Sequence, residues 1–270
     1  MKPADADPAL LALFERIDRA CGLGCDAYKP GCLRRRIAVR MRACGVESYQ
    51  QYAAVLDEDS SEYGRLLDSI TINVTKFFRN PEAWNLLAHR VLPRLWERCD
   101  GALRCWSAGC ASGEEPYSLA VLLLDHGRGT PEGAARVRID ATDLDEGSLE
   151  RARLGEYRPA AFDEMPATLA RRYVTGSDPR TVAPEVRSLV QFRRHDLLRD
   201  PAPDPPYDLI ICRNVIIYFD RPSQERLFDR FIEALAPGGY LVLGKVESLV
   251  GAAKGKLEVE DARERVYRLP

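Results

Sequence analysis

The chain has little of what metal and redox chemistry need. Three histidines, His89, His126 and His195, are scattered through 270 residues, and none of the eight cysteines forms a CxxC pair. Cys21, Cys25, Cys32 and Cys44 are spaced 4, 7 and 12 apart, which matches no structural zinc framework. No metal site is therefore expected, and Cys105, Cys110 and Cys212, on or beside apolar runs, read as buried free thiols. Long apolar runs are missing too. The longest, such as Ser118–Leu124, fall far short of the roughly 18 residues of a membrane span. Met1–Asp5 lacks the apolar core of a signal peptide, so the expectation is a cytoplasmic protein that does not insert into a membrane. Bulk charge is nearly absent: 39 Lys and Arg against 41 Asp and Glu leave a net charge of −2, without the polyelectrolyte signature of nucleic-acid binding.

What is present is uneven. From Tyr28 to Arg42 the chain carries Lys29, Arg34, Arg35, Arg36, Arg40 and Arg42 and no acidic residue. The first seventy residues read as short helices. Asp7-Pro8 starts one with Leu10, Leu11, Phe14 and Ile17 at helical spacing. A second carries Leu33, Ile37 and Met41. Ser48 with Gln51 forms a capping box for a third, and a fourth runs from about Ser61 to Ile70. After a helix from Glu82 to about Arg98 the texture changes. Strands are expected at Leu103–Ser107, Val137–Thr142, Leu189–Phe192, Asp208–Cys212 and Gly239–Leu243, with helices at Glu114–His126, Glu146–Leu154 and Ser223–Leu235 between them. A closing hairpin fits Lys256–Glu260 and Arg265–Leu269. Alternation of this kind predicts a mostly parallel sheet covered on both faces, an α/β fold. The polar interval Gly155–Ser188 reads as an insertion on it.

Four stretches carry candidate chemistry. In Ser107-Ala108-Gly109-Cys110-Ala111-Ser112-Gly113-Glu114-Glu115 a strand enters a turn of small residues and then a helix, as open α/β sheets do where a ligand meets the backbone. Two carboxylates at that helix start are wrong for a phosphate and suit a cationic group such as an ammonium, or else they complement the helix dipole. Asp143 sits at the end of the next strand, where a carboxylate can accept both hydroxyls of a ribose; a helix N-cap is the competing role, which Asp145 suits equally. A nucleoside with a ribose clamp and no phosphate cradle points to S-adenosylmethionine. Arg213-Asn214 end an apolar strand at the same edge, with Tyr218 on the following turn. Asn73, Thr75 and Arg79 precede the first strand, placed either to close over a ligand or to cap the helix at Pro81.

Together the blocks TINVTKFFRNPEAW, WSAGCASGEEPYSLA, ATDLDEGSLERARLGEYR, YDLIICRNVIIYFDR and FDRFIEALAPGGYLVLGKVESL closely resemble the chemotaxis receptor methyltransferases, the CheR family, over nearly the whole chain. The resemblance implies a Rossmann-like S-adenosylmethionine-dependent methyltransferase sheet, an N-terminal all-α domain at 1–72, and a methyltransferase domain at 73–270 with a small antiparallel β-subdomain inserted at about 156–190. It implies methyl transfer to glutamate side chains of a chemoreceptor's cytoplasmic coiled coil, giving methyl esters and S-adenosylhomocysteine, by a monomer. Cofactor contacts carry over to Asn73, Thr75, Arg79, Glu115 (with Glu114 as a substitute), Asp143, Asp196, Leu197, Arg213 and Asn214. Arg79 and Tyr218 fall at the positions that orient the reacting groups, and Arg34, Arg35, Arg36, Arg40 and Arg42 lie on the receptor-facing helix. Two departures stand out. Asp196-Leu197-Leu198 replaces the usual Asn-Leu-Leu, and Tyr173–Phe192 is short and lacks the Gly-x-Gly loop of members that grip a C-terminal pentapeptide, so a tether-independent enzyme is expected. The rival expectations are a sensor that binds S-adenosylmethionine or S-adenosylhomocysteine without turnover, and a methyltransferase of another signalling protein.

Overall fold

The computed structural model describes residues 7–71, 75–98, 103–126 and 137–270. Two compact units divide the chain: Met1–Asn73 with Tyr218–Ser223, and Val74–Ile217 with Gln224–Pro270.

The first unit is helical, and its helices begin where the side chains can cap them. Helix α1 (Pro8–Cys21) starts with Asp7 accepting from the Ala9 amide at 2.9 Å and stops at Gly22, whose φ is 69°. Helix α2 (Pro30–Ala43) buries Leu33, Ile37 and Met41. In α3 (Tyr49–Glu58) both halves of the capping box form, Gln51 N donating to Ser48 Oγ and Ser48 N to Gln51 Oε1. Helix α4 (Ser61–Thr71) follows. The late segment Tyr218–Ser223 joins this unit. Lys29 N donates to the Tyr218 carbonyl at 2.8 Å, Asp220 N to the Ala27 carbonyl at 2.9 Å, and the Tyr28 and Phe219 rings meet edge-on at 5.1 Å.

The basic run on α2 is not uniformly solvated. Arg40 makes a two-pronged ion pair with Glu62 of α4, Nε and one terminal nitrogen each 2.8 Å from a carboxylate oxygen. Glu62 is buried, and Tyr52 Oη and Arg65 also donate to it. Arg40 thus has a counterion within the protein, supplied by α4 rather than by its own segment. Arg35 and Arg42 are exposed, with Val39 between them, while Arg34 and Arg36 are half-buried.

In the second unit a seven-stranded sheet comprises β1 (Leu103–Ala108), β2 (Val137–Asp143), β6 (Val190–Arg194), β7 (Tyr207–Cys212), β8 (Leu235–Leu243), β9 (Glu258–Asp261) and β10 (Val266–Arg268). Their order is β6-β2-β1-β7-β8-β10-β9. The first five run parallel, and β10 is antiparallel to both its neighbours. This is the strand order of a Rossmann-like, doubly wound sheet. β1 and β7 are buried on both faces, as their continuous apolar runs require. The chain builds outward from β1 through β2 to β6, then returns to β7 on the other side of β1. The switch point, where ligands enter such sheets, therefore lies between the carboxyl ends of β1 and β7. A second sheet, β3 (Glu156–Tyr157), β5 (Arg180–Val182) and β4 (Val174–Thr175), is the small antiparallel insert.

Ahead of β1, the single helix expected from Glu82 is broken into α5 (Pro81–Leu86), a π-turn at Leu87–Val91, and α6 (Leu92–Arg98). Pro93 explains the break: it lacks an N–H, and its ring crowds the carbonyl four residues earlier. Helices α7 (Glu114–His126) and α8 (Glu146–Leu154) follow β1 and β2.

The Glu62 carboxyl is held down at about 2, first by the Arg40 guanidinium, against the cost of burial. A depressed carboxyl contributes stability above its unfolded pKa and loses it as pH falls through the folded one. Glu62→Gln is expected to destabilise the protein by about 3 kcal/mol at pH 7. Urea unfolding at pH 7 and pH 3 should show that difference shrinking at the lower pH, and an undiminished difference would contradict the assignment.

Candidate active site

Parallel register brings the strand ends to one edge. Ala108 lies opposite Thr142 and Ser107 opposite Ile211, and Cys212 pairs with Leu243. The turn after β1, the Asp143 end of β2, Arg213-Asn214 after β7 and Gly244 after β8 therefore share the carboxyl edge. The β1 turn is tied to β2 by three bonds: Gly109 N and Cys110 N donate to the Thr142 carbonyl at 2.8 and 2.9 Å, and Ala111 N donates to Asp143 Oδ2 at 2.8 Å. Gly113 is required twice over. Its φ is 94°, and a Cβ there would come within 2.8 Å of Ala152 Cβ on α8.

Asp143 is buried, and burial pushes its carboxyl up from the ordinary value. Its other oxygen accepts from Asp145 N at 3.0 Å, so backbone amides hold both oxygens. Asp145 occupies the N-cap position of α8 and accepts from Ser148 Oγ at 2.7 Å. The two carboxylates thereby take separate places, with Asp143 at the strand end. Glu115, in the first turn of α7, accepts from Ser107 Oγ at 2.9 Å and lies 3.7 Å from the Arg213 guanidinium. Burial raises its carboxyl to about 7, against the opposing pull of Arg213 and Ser107. Glu114 turns instead to Ser112 Oγ at 2.8 Å, and burial raises it as well.

Arg213 is buried to 3% side-chain exposure, which lowers its pKa despite Glu115. Its Nη2 donates to the Arg79 carbonyl and to Asn80 Oδ1, both at 2.9 Å, and its guanidinium lies over the Trp84 ring. The segment carrying Thr75 and Arg79 is held from several sides. Phe77 N donates to the Ala161 carbonyl and Asn80 N to Glu164 Oε2, both at 3.0 Å and both on the inserted subdomain, while Phe78 N donates to Ser118 Oγ of α7 at 2.9 Å. Phe77 also stacks on Phe162 at 4.3 Å. Among the described non-glycine residues, five have positive φ, and four of them, Phe78, Asn80, Ala111 and Asn214, are in these blocks. Backbone strain concentrated in this way marks a functional edge.

The remaining expected residues are placed as follows. β6 pairs with β2 so that Arg194 meets Asp143, and His195 N donates to the Asp143 carbonyl. Asp196 and Leu197 thus follow directly beside the ribose-clamp candidate. Asp196 Oδ1 accepts from Leu198 N, and Leu197 is buried. Thr75 is half-buried. Asn73 lies outside the described residues. Tyr218 belongs to the helical unit. The sequence reading passed over Asn80, Ser107 and Glu247, which hold Arg213, Glu115 and the Asn214 turn. Only Glu247 had a visible trace, as a carboxylate just past the last parallel strand.

Comparison with known proteins places this arrangement. Residues 8–71 match the family described as CheR methyltransferase, all-alpha domain, and residues 73–266 match CheR methyltransferase, SAM binding domain. The chain belongs to the CheR methyltransferase family. It is similar to proteins named chemotaxis protein methyltransferase. One from Listeria innocua is 36% identical over 250 residues (92% of this chain, 93% of the relative). Chemotaxis protein methyltransferase 2 of Pseudomonas aeruginosa is 36% identical (88% and 86%), and the Escherichia coli protein 33% identical (90% and 85%). S-adenosylmethionine is the cofactor of this family's larger domain. The groups of the edge fit it: a buried carboxylate at a strand end suits ribose hydroxyls, and the acidic α7 terminus matches an ammonium rather than a phosphate.

With the Glu115 carboxyl near 7, a cationic group on the ligand binds the ionised form and expels the proton. The affinity of this CheR-family protein for S-adenosylhomocysteine is expected to rise about tenfold between pH 6 and pH 8. Calorimetry across that range should show the rise and, in buffers of different ionisation enthalpy, proton release. Glu115→Gln should flatten the profile, and an equally steep profile in that variant would contradict the role.

Proposed function

We propose that this protein transfers the methyl group of S-adenosylmethionine to glutamate side chains on the cytoplasmic coiled coil of a chemoreceptor, independently of a C-terminal tether. The names of its relatives point to chemotaxis. The observation that carries the reading to this chain is the convergence of Asp143, Glu115 and the Arg213-held Arg79 segment on one sheet edge.

That composition suits a carboxylate acceptor. A glutamate is already ionised at neutral pH, its reference pKa being about 4.3, so no general base is needed. The cofactor supplies a methyl group on a sulfonium that leaves as a neutral thioether. With it bound, an ionised acceptor carboxylate would take the methyl with no proton for the protein to move. The protein's work is alignment and exclusion of water, which is worth up to roughly 7–11 kcal/mol in favourable systems. In this reading Asp143 accepts the ribose hydroxyls, Glu115 the ammonium, and Asp196-Leu197 line the adenine end. Arg79, on a segment fixed at its carbonyl, orients the acceptor carboxylate rather than neutralising it, because a full clamp would quench the nucleophile.

The exposed cations Arg35 and Arg42 of α2, with Arg34 and Arg36 beside them, suit the acidic methylation region of a receptor. Arg40, beside them, is already paired with Glu62. Tether independence is supported by the insert, where β4 and β5 are joined by only residues 176–179.

Incubation with methyl-labelled S-adenosylmethionine and a receptor cytoplasmic fragment tests the reading. Label is expected on glutamates and is released by mild alkali as methanol, because it is an ester. Alkali-stable label, or none, would contradict it. Truncating the receptor's last five residues should leave the rate within about twofold. Raising salt from 50 to 500 mM, or the double change Arg35→Glu and Arg42→Glu, should lower kcat/KM about tenfold through KM.

A further inference from the structure

Glu247 lies in none of the roles above, yet it is buried at 3% exposure and faces five backbone N–H groups. Its Oε2 accepts from Asn214 N at 2.9 Å and Gly244 N at 2.7 Å. Its Oε1 accepts from Val215 N at 2.9 Å, Ile216 N at 2.8 Å and Ile217 N at 3.3 Å. No side-chain cation is bonded to it among the described residues; the backbone itself satisfies the charge. Such donors are worth more than neutral pairs and, being attached to successive residues, they specify a backbone path rather than a side-chain position.

We infer that Glu247 is a positioning residue for methyl transfer, a clamp that sets the Arg213–Ile217 turn and through it both halves of the cofactor edge. The inference rests on the reading of that edge given above. Four consecutive amides directed at one carboxylate oblige the chain to turn sharply after β7, and Asn214 takes a φ of 62° to do so. The residue before it, Arg213, is thereby aimed back at the Arg79 carbonyl, Asn80 Oδ1 and Glu115. The fifth amide, Gly244, ties the turn to the end of β8. A Cβ at Gly244 would stand 2.8 Å from Glu247 Oε2 and 2.9 Å from Asn214 N, so the clamp also accounts for the glycine. Glutamate is the side chain the arrangement needs. Glutamine keeps the shape but offers one acceptor oxygen and sets an NH2 against amides that also donate. Aspartate keeps the charge but is one methylene short.

The test uses the full chain. Glu247→Gln is expected to weaken S-adenosylhomocysteine binding at least tenfold and to lower kcat about a hundredfold, the scale of a misplacement near 1 Å. Hydrogen exchange should accelerate at the amides of residues 214–217 and stay unchanged in β1. Tyr207→Phe is the control. It loses a buried hydrogen bond to Asp140 (3.0 Å) elsewhere in the same sheet, so it should cost stability while leaving affinity and kcat within twofold. If Glu247→Gln does not fold, Gly244→Ala presses the same clamp from the other side and should give the same pattern of loss. A Glu247→Gln or Gly244→Ala protein with native affinity and kcat, or a loss matched by Tyr207→Phe, would overturn the inference while leaving the proposed function intact. Failure of the wild-type protein to bind S-adenosylhomocysteine would overturn the reading of the edge and this inference together.

Discussion

The Asp143 carboxylate joins the end of β2 to the turn leaving β1, and the rest of the crevice is arranged around that tie. A buried carboxylate is costly unless hydrogen-bonded, and here backbone amides from two different turns meet the cost. Because the donors are amides, the bond fixes the path of Ala111 and the entry into α8 at once. The small residues of the β1 turn follow from it. Gly113 passes too close to Ala152 for any side chain, and Ala111 is held at a φ of 47°.

The same economy recurs across the edge. Glu247 is satisfied by backbone alone, Glu115 by one hydroxyl and a guanidinium at 3.7 Å, and Arg213 by a carbonyl and an amide oxygen. Acidic groups therefore outnumber basic ones inside the crevice, a field that favours a cationic ligand. On α2 the exposed arginines present the opposite sign to an acidic partner. The inserted subdomain contributes stiffness. Through Ala161, Glu164 and Phe162 it anchors the segment that carries Arg79.

Much of this was legible in the sequence, for local reasons. Capping at Asp7 and Ser48, the apolar runs of β1 and β7, and the Gly-rich turn each carry their cause within a few residues. Asp143 and Asp145 were distinguishable only in three dimensions, since both suit an N-cap by spacing. The π-turn at Leu87–Val91 had its signal in Pro93, but a proline inside an apolar helical run does not say whether the helix ends, kinks or widens there. The Arg40–Glu62 pair was not legible because charge is counted along one helix, while Glu62 sits on another. Glu247 stands visibly just past the last parallel strand, but its partners are backbone amides, so no residue type elsewhere in the sequence pairs with it.

The central claim is that the carboxyl edge holds S-adenosylmethionine through the Asp143 carboxylate. Calorimetric titration of the purified protein with S-adenosylhomocysteine, beside Asp143→Asn, tests it most directly. Asparagine preserves shape but loses one acceptor and the charge, so micromolar binding by the wild type and a loss of about a hundredfold in the variant are expected, the worth of charge-assisted hydrogen bonds to two hydroxyls. Equal affinity in the two proteins, or no binding by the wild type, would contradict the account.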